Sequence, residues 1–373
     1  MLMNAPCAPS LRFPAKLVLL VLPSGLGLLW AMMKFMGPQK GLASFVTSVF
    51  MGSIILVSLA VLELGVRYVY QDVSTTADNY SYFAHRYWAS NPPRKNKWGF
   101  RDRDFADEPT AGVYRIAVIG DSFTYGQGIS EEERLTNILE KHLNNLQKRY
   151  EVINFGRSGA ETVDEVKILK KTVLGISPDF ILLQWFINDV NSELTKSPPS
   201  RALFPNRLSS FLRCNFALYY LVNKGWQSFL TKTGFSPSWI DSTIKYFSDE
   251  QSLASQEAQN ALEEFFQEAR KHNVPVGLVL FPGLTDEIKT PVDYPFKFLM
   301  DRVLRTCIRY DAPCVDLTPV FSPVEPKNQL WANRLDEHPS RLANELAAEA
   351  VLKGMGDRWV NVEGANGEVK RGS

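Results

Sequence analysis

The chain has 373 residues, of which 45% are hydrophobic and 22% charged, with 41 basic side chains against 40 acidic ones. Such a composition belongs to a folded chain with enough apolar material for one large domain or two modest ones, and it excludes a disordered polymer. The near-zero charge balance excludes bulk electrostatic attraction to a polyanion, so no nucleic-acid partner is expected.

Residues 1–16 read as a short N-terminal tail. From Leu17 to Met33 no charge interrupts the sequence, and none interrupts it from Gly41 to Leu62. At about 1.5 Å per residue the two stretches reach roughly 26 and 33 Å as helices, close to the roughly 30 Å of a bilayer core. Gly37-Pro38-Gln39-Lys40 between them suits a tight connection. Two transmembrane helices within 17–69 are therefore expected, a multi-pass anchor in the cell membrane. The competing reading of the first stretch is a signal peptide behind Arg12 and Lys16, but no small-residue cleavage site follows it. Basic residues flank both spans, so the positive-inside bias does not choose a side. The expectation leans to an extracytoplasmic catalytic domain.

Residues 70–111 are polar and aromatic without periodicity and read as a linker that packs on the domain it introduces. Within it, Arg101 is assigned to loop packing in preference to substrate contact. From about 112 short apolar runs alternate with helical stretches. The runs are 115–120, 151–155, 180–187, 274–281 and 314–320, and the helices are placed near 131–147, 162–175, 251–272, 293–310 and 341–353. Nearly continuous hydrophobicity marks strands buried on both faces, so the alternation predicts a doubly wound parallel sheet with helices on either side. In that architecture ligands bind at the carboxyl ends of the strands.

An aromatic segment at about 190–250 interrupts the alternation. Leu208, Phe211, Leu212, Leu218, Val222, Trp226 and Phe229 recur there at helical spacing. An inserted helix packed on the core is expected, with a lid or a bilayer contact as the alternatives. The last residues, 357–373, read as a mobile tail.

The chain's four cysteines, Cys7, Cys214, Cys307 and Cys314, include no CxxC pair, so neither a metal site nor another cofactor is expected. Cys307 and Cys314 stand seven apart, either as a disulfide in an oxidising compartment or as two buried thiols.

The run Arg115 to Gly120 is a buried strand leading straight into Asp121-Ser122-Phe123-Thr124-Tyr125-Gly126. A serine there is presented at the substrate edge of the sheet, and the phosphate-binding glycine patterns GxGxxG and GxxxxGK[ST] are both absent. A hydroxyl nucleophile needs a base, usually histidine. The chain has four histidines. His142 sits on a surface helix, His272 at a helix end and His85 in the linker. His338 remains, between the last strand and the final helix, with Ser340 as a plausible N-cap. Acyl transfer also needs oxyanion donors. Gly159, in the turn after the second strand, and Asn188, after the third, are the candidates beside the Ser122 N–H.

Taken in order, Ser122, Gly159, Asn188 and His338 resemble the four blocks of the SGNH, or GDSL, hydrolase superfamily, over about residues 112–356. The resemblance implies a flavodoxin-like three-layer α/β/α sandwich, Ser122 as nucleophile, His338 as base, and Ser122 N–H, Gly159 and Asn188 as the oxyanion hole. Two positions depart from the family pattern. Phe186 stands where the third block usually has glycine, and Leu335 stands where the last block usually has aspartate. Asp336, two residues before His338, is then the candidate third member of the site. The spans and the Trp98-Gly99-Phe100-Arg101 run are similar to membrane-anchored bacterial members.

The expected function is a serine esterase hydrolysing acyl or acetyl esters of a lipid or an acylated carbohydrate. The alternatives are an O-acetyltransferase for a cell-surface polysaccharide and an inactive membrane-tethered binding module.

Overall fold

The computed structural model describes residues 40–145, 149–187, 203–204, 206–285 and 288–360. They divide into two compact units. The first expected span, at 17–33, lies outside the described residues.

One unit holds the described part of Met1–Val73 together with Asp78–Tyr87 and Arg201–Phe229. Its main element is the helix Lys40–Val69. The stretch Val46–Val69, 24 residues with a mean hydropathy of 2.3, is long and apolar enough to cross a membrane, and 6% of its 18-residue apolar window is buried in the protein. A helix that is apolar all round and this exposed is not covered by the protein's own core. Among the described residues it is the one such helix.

The carboxylate near its end has a structural reason. Glu63 accepts from the backbone N–H groups of Ala217 at 3.0 Å and Leu218 at 2.8 Å, and pairs with Arg67 at 2.6 Å. Those two N–H groups open the helix Ala217–Lys232, where no intrahelical acceptor exists, so Glu63 caps it. Arg67 also donates to the carbonyl of Asn215, the last residue of the helix Asn206–Asn215. Phe83, fully buried, meets the rings of Tyr70, Tyr82 and Tyr220.

The aromatic insert therefore differs from expectation. Among its described residues are three helices, the third being Trp239–Phe247. Leu208, Phe211, Val222, Trp226 and Phe229 are exposed, and the buried face of the first two helices is made by Ser209, Cys214, Ala217, Tyr220 and Asn223.

The other unit carries a five-stranded, all-parallel sheet in the order β2-β1-β3-β4-β5, with β1 Val113–Gly120, β2 Arg149–Gly156, β3 Phe180–Phe186, β4 Val276–Phe281 and β5 Cys314–Asp316. Ile116–Ile119, Ile181–Leu183 and Leu278–Phe281 are fully buried, as strands covered on both faces must be. The helix Leu135–Asn144 packs with the final helix Arg341–Val360, and Thr162–Lys171 packs with Leu253–Lys271. Because the chain steps one way from β1 to β2 and the other way to β3, right-handed crossovers put these pairs on opposite faces. Gly120 lies level with Gly156 on one side and Gln184 on the other, so β1 and β2 end together at the switch point and β3 runs two residues further.

Two expected elements are shorter or longer than their apolar runs. The run 314–320 stops being a strand at Asp316, whose Oδ1 accepts from the Thr318 N–H at 2.8 Å and hydroxyl at 2.6 Å and starts the short helix Thr318–Phe321 with Pro319 in its first turn. The final helix continues to Val360, so 357–360 are helical, and 361–373 lie outside the described residues. Cys307 and Cys314 form a disulfide that joins the helix Lys297–Arg309 to β5.

Candidate active site

β1 ends at Gly120, and the chain turns at once into the one-turn helix Ser122–Tyr125. Asp121 caps that helix, its Oδ1 accepting from the Phe123 N–H at 2.8 Å. Ser122 is thereby fixed at the first helical position, where its own N–H has no intrahelical acceptor and points out of the helix start.

His338 does not lie in a loop. It belongs to β7, Asp336–Pro339, which pairs antiparallel with β6, Trp331–Asn333. A strand places residues i and i+2 on one face. Asp336 and His338 therefore point the same way, and the shortened Asp-x-His spacing works because the segment is extended. His338 Nε2 lies 2.8 Å from Ser122 Oγ, and His338 Nδ1 lies 2.5 Å from Asp336 Oδ1. All three side chains are buried. An ionised carboxylate only accepts, so Nδ1 carries the proton toward Asp336, and Nε2 presents its lone pair to the serine hydroxyl.

Burial opposes a charged imidazole, but the Asp336 carboxylate and its hydrogen bond, with Asp121 and Glu337 beyond, outweigh it and raise the His338 pKa above the usual 6.5. Burial likewise opposes ionised Asp336, yet His338 and the hydrogen bond from Thr75 hold its pKa below the usual value. The Phe123 ring meets the imidazole edge to face with centroids 5.3 Å apart, and stacks on Phe186 at 4.1 Å. Phe186 thus fills the family's glycine position with an apolar wall behind the nucleophile.

The segment Ser74–Ala77, which clusters with the sheet unit, supplies partners that its sequence did not announce. Thr75 donates its hydroxyl to Asp336 Oδ2. Ser74 donates to the carbonyl of Gly128, and Asn333 donates to both Ser74 Oγ and the Thr75 carbonyl. Gln127 Nε2 donates to the carbonyls of Thr76 at 3.0 Å and Ala77 at 3.3 Å, and lies 3.2 Å from His338 Nδ1. Since Nδ1 already gives its proton to Asp336, that last approach is van der Waals contact that fixes the ring. Neither Thr75 nor Gln127 belongs to a recognisable motif. Arg101 behaves as expected, buried and donating to the carbonyls of Gly126 at 2.5 Å and Ile129 at 2.9 Å.

Gly159 sits at φ +74 in a turn closed by the Ala160 N–H on the Arg157 carbonyl at 2.9 Å. A positive φ at the third turn position favours glycine. The Arg157 N–H in turn bonds the Gly120 carbonyl at 3.0 Å, which fastens this loop to the end of β1. Asn188 lies outside the described residues. Of the other histidines, His142 and His272 are exposed, and the latter leans on the Glu268 carbonyl. His85 is half-buried in the other unit.

One further acid bears on the site. Glu165, fully buried on the helix Thr162–Lys171, takes no hydrogen bond on either carboxyl oxygen from the described residues. Burial, then the charges of Asp121 and Asp164, push its pKa well above the usual value.

A hydroxyl against an imidazole that is oriented by a carboxylate is an arrangement able to run nucleophilic acyl transfer. Residues 118–346 match the GDSL-like Lipase/Acylhydrolase family. Among solved structures, TesA is 14% identical with a TM-score of 0.40, covering 65% of this chain and 98% of its own. A lipase/acylhydrolase from Enterococcus faecalis is 18% identical with a TM-score of 0.41, covering 66% of this chain and 96% of its own. An acetyl xylan esterase from Geobacillus stearothermophilus is 16% identical with a TM-score of 0.41, covering 67% of this chain and 97% of its own. No curated protein matches.

Proposed function

Since the chain belongs to the GDSL-like lipase/acylhydrolase family and is thereby a hydrolase acting on esters, we propose that it cleaves carboxylic esters with Ser122 as nucleophile, His338 as base and Asp336 as the group that orients the base. Ser122 Oγ attacks the ester carbonyl as its proton passes to His338 Nε2. The tetrahedral oxyanion is met by the N–H groups of Ser122 and Gly159 and by the amide of Asn188. When the intermediate collapses, the leaving alkoxide takes the proton from Nε2 and the acyl group remains on Ser122. Water then repeats the sequence in reverse, giving its proton to His338 and releasing the carboxylic acid.

The observation that carries this reading is the 2.8 Å approach of His338 Nε2 to Ser122 Oγ, with Asp336 2.5 Å behind the ring. A fluorophosphonate probe tests it. Labelling of the full chain that disappears in Ser122→Ala is expected, and an unlabelled but folded wild type would sink the assignment.

The same proposal places the enzyme in the cell membrane, with 17–69 as anchor and 112–356 as an extracytoplasmic hydrolase domain acting on a lipid or acylated carbohydrate. Support comes from the apolar, exposed helix Val46–Val69 and from the Cys307–Cys314 disulfide, a bond that persists in oxidising compartments. A membrane-impermeant thiol reagent on a cysteine substituted for Tyr80 should react in intact cells; reaction only after lysis would place the domain inside.

A further inference from the structure

The helices Asn206–Asn215 and Ala217–Lys232 turn an apolar stripe outward. Leu208 and Phe211 are 46% and 47% exposed on the first, and Val222 and Phe229 are 49% and 52% exposed on the second. Spacings of three and seven residues put each set on one face, away from the buried Ser209 and Cys214 in one helix and Ala217, Tyr220 and Asn223 in the other. Exposed apolar residues are ordinary when scattered, but a stripe on each of two consecutive helices marks a surface made for another phase or partner.

Charge and placement both choose the occupant. The two helices carry Arg207, Arg213, Lys224 and Lys232, and no acidic residue. Arg213 is paired with Asp78, which leaves the balance of the surface basic. Basic amphipathic helices with aromatic apolar faces are suited to an anionic lipid interface. The first helix and the second as far as Phe229 lie in the same compact unit as the apolar helix Lys40–Val69. They are joined to its last turns, where Glu63 caps Ala217 and Leu218 and Arg67 holds the Asn215 carbonyl. With Val46–Val69 read as a span, the junction of the pair lies at its last turns, where a span leaves the hydrocarbon and where Trp, Tyr and basic residues gather.

We propose that Asn206–Asn215 and Ala217–Lys232 are an interfacial membrane element, seated with the Leu208, Phe211, Val222 and Phe229 stripes in the headgroup boundary of an anionic bilayer beside the span. The inference rests on reading Lys40–Val69 as a membrane span. It assigns the insert to lipid rather than to the protein core. The span then fixes the chain at the bilayer, and this pair fixes its tilt and rotation.

The test uses the full chain in nanodiscs of phosphatidylcholine with phosphatidylglycerol, with p-benzoylphenylalanine replacing, one at a time, Leu56 in the span, Phe211 and Val222. Fluorophosphonate labelling of each variant confirms that it has folded. Photolysis should give lipid adducts at all three positions, with the yield at Phe211 and Val222 falling when phosphatidylglycerol is left out. Lipid adducts at Leu56 alone, or protein adducts to the same chain or a second copy at Phe211 and Val222, would overturn the inference and leave the anchor intact. No lipid adduct at any position would overturn the anchor as well.

Discussion

Thr75 donates a hydrogen bond from its hydroxyl to Asp336, across 261 residues of sequence, in a site where Asp336 is fully buried. A carboxylate in that position relies on hydrogen bonds to stay ionised, and it has two side-chain donors, Thr75 and His338. Thr75→Val removes one without changing the volume much. A bond to a charged group contributes about 1.5–3 kcal/mol, so kcat/KM should fall by roughly ten- to a hundredfold. Thr75→Ser should restore most of it. Equal activity in the valine and serine variants would show that the hydroxyl has no part in the reaction.

Asp336→Asn should cost far more. An amide in place of the carboxylate can turn the imidazole to the wrong tautomer, and loss of this member from such a triad lowers kcat by about 10⁴. Steady-state rates on a p-nitrophenyl ester check this, and a loss below tenfold would favour a working Ser122–His338 pair.

The pH profile follows from the raised pKa of His338. Catalysis needs the neutral ring, so kcat/KM should rise with pH through a midpoint above the ordinary imidazole value. In Asp336→Asn the ring stays buried but loses its counter-charge, and the midpoint of the residual activity should move down. An unchanged midpoint would mean that another group titrates.

Glu165 predicts a stability effect without a catalytic one. Its folded pKa is raised far above its unfolded value. Between the two values the folded chain holds a proton that the unfolded chain has lost, so stability falls as pH rises. Glu165→Gln should remove that slope and raise Tm most at alkaline pH. Parallel Tm-against-pH curves for wild type and variant would contradict a raised Glu165 pKa.

Gly128 stands at φ +81, and a Cβ there would fall on Thr75 Oγ1 and lie 3.2 Å from Asp336 Oδ2. Gly128→Ala should therefore lower kcat together with stability. The left-handed backbone alone costs about 1–2 kcal/mol, and the displaced hydroxyl adds the Thr75 defect. A full-rate variant would show that the loop has room to shift.

What the sequence made legible was local in character. Ser122 follows a strand whose apolar run is unmistakable, and His338 emerged because three other histidines had plainer places. Asp336 was harder, since its role depends on the segment being extended, which a polar run such as Leu335 to Ser340 does not advertise. Thr75 and Gln127 left no signal, because a single hydroxyl or amide acquires its meaning from a partner hundreds of residues away. The insert carries a different lesson. Helical spacing of Leu208, Phe211, Val222 and Phe229 told which residues share a face, but periodicity is silent on what that face meets, and here it is not the core.

The support that reaches Asp336 from Ser74–Ala77 means that the hydrolase is not self-contained from β1 onward. A chain shortened to begin at Val113 would keep all five parallel strands with Ser122 and His338, yet it would lack Thr75 and leave Asp336 a donor short. The boundary of the working enzyme therefore lies upstream of the boundary of its sheet.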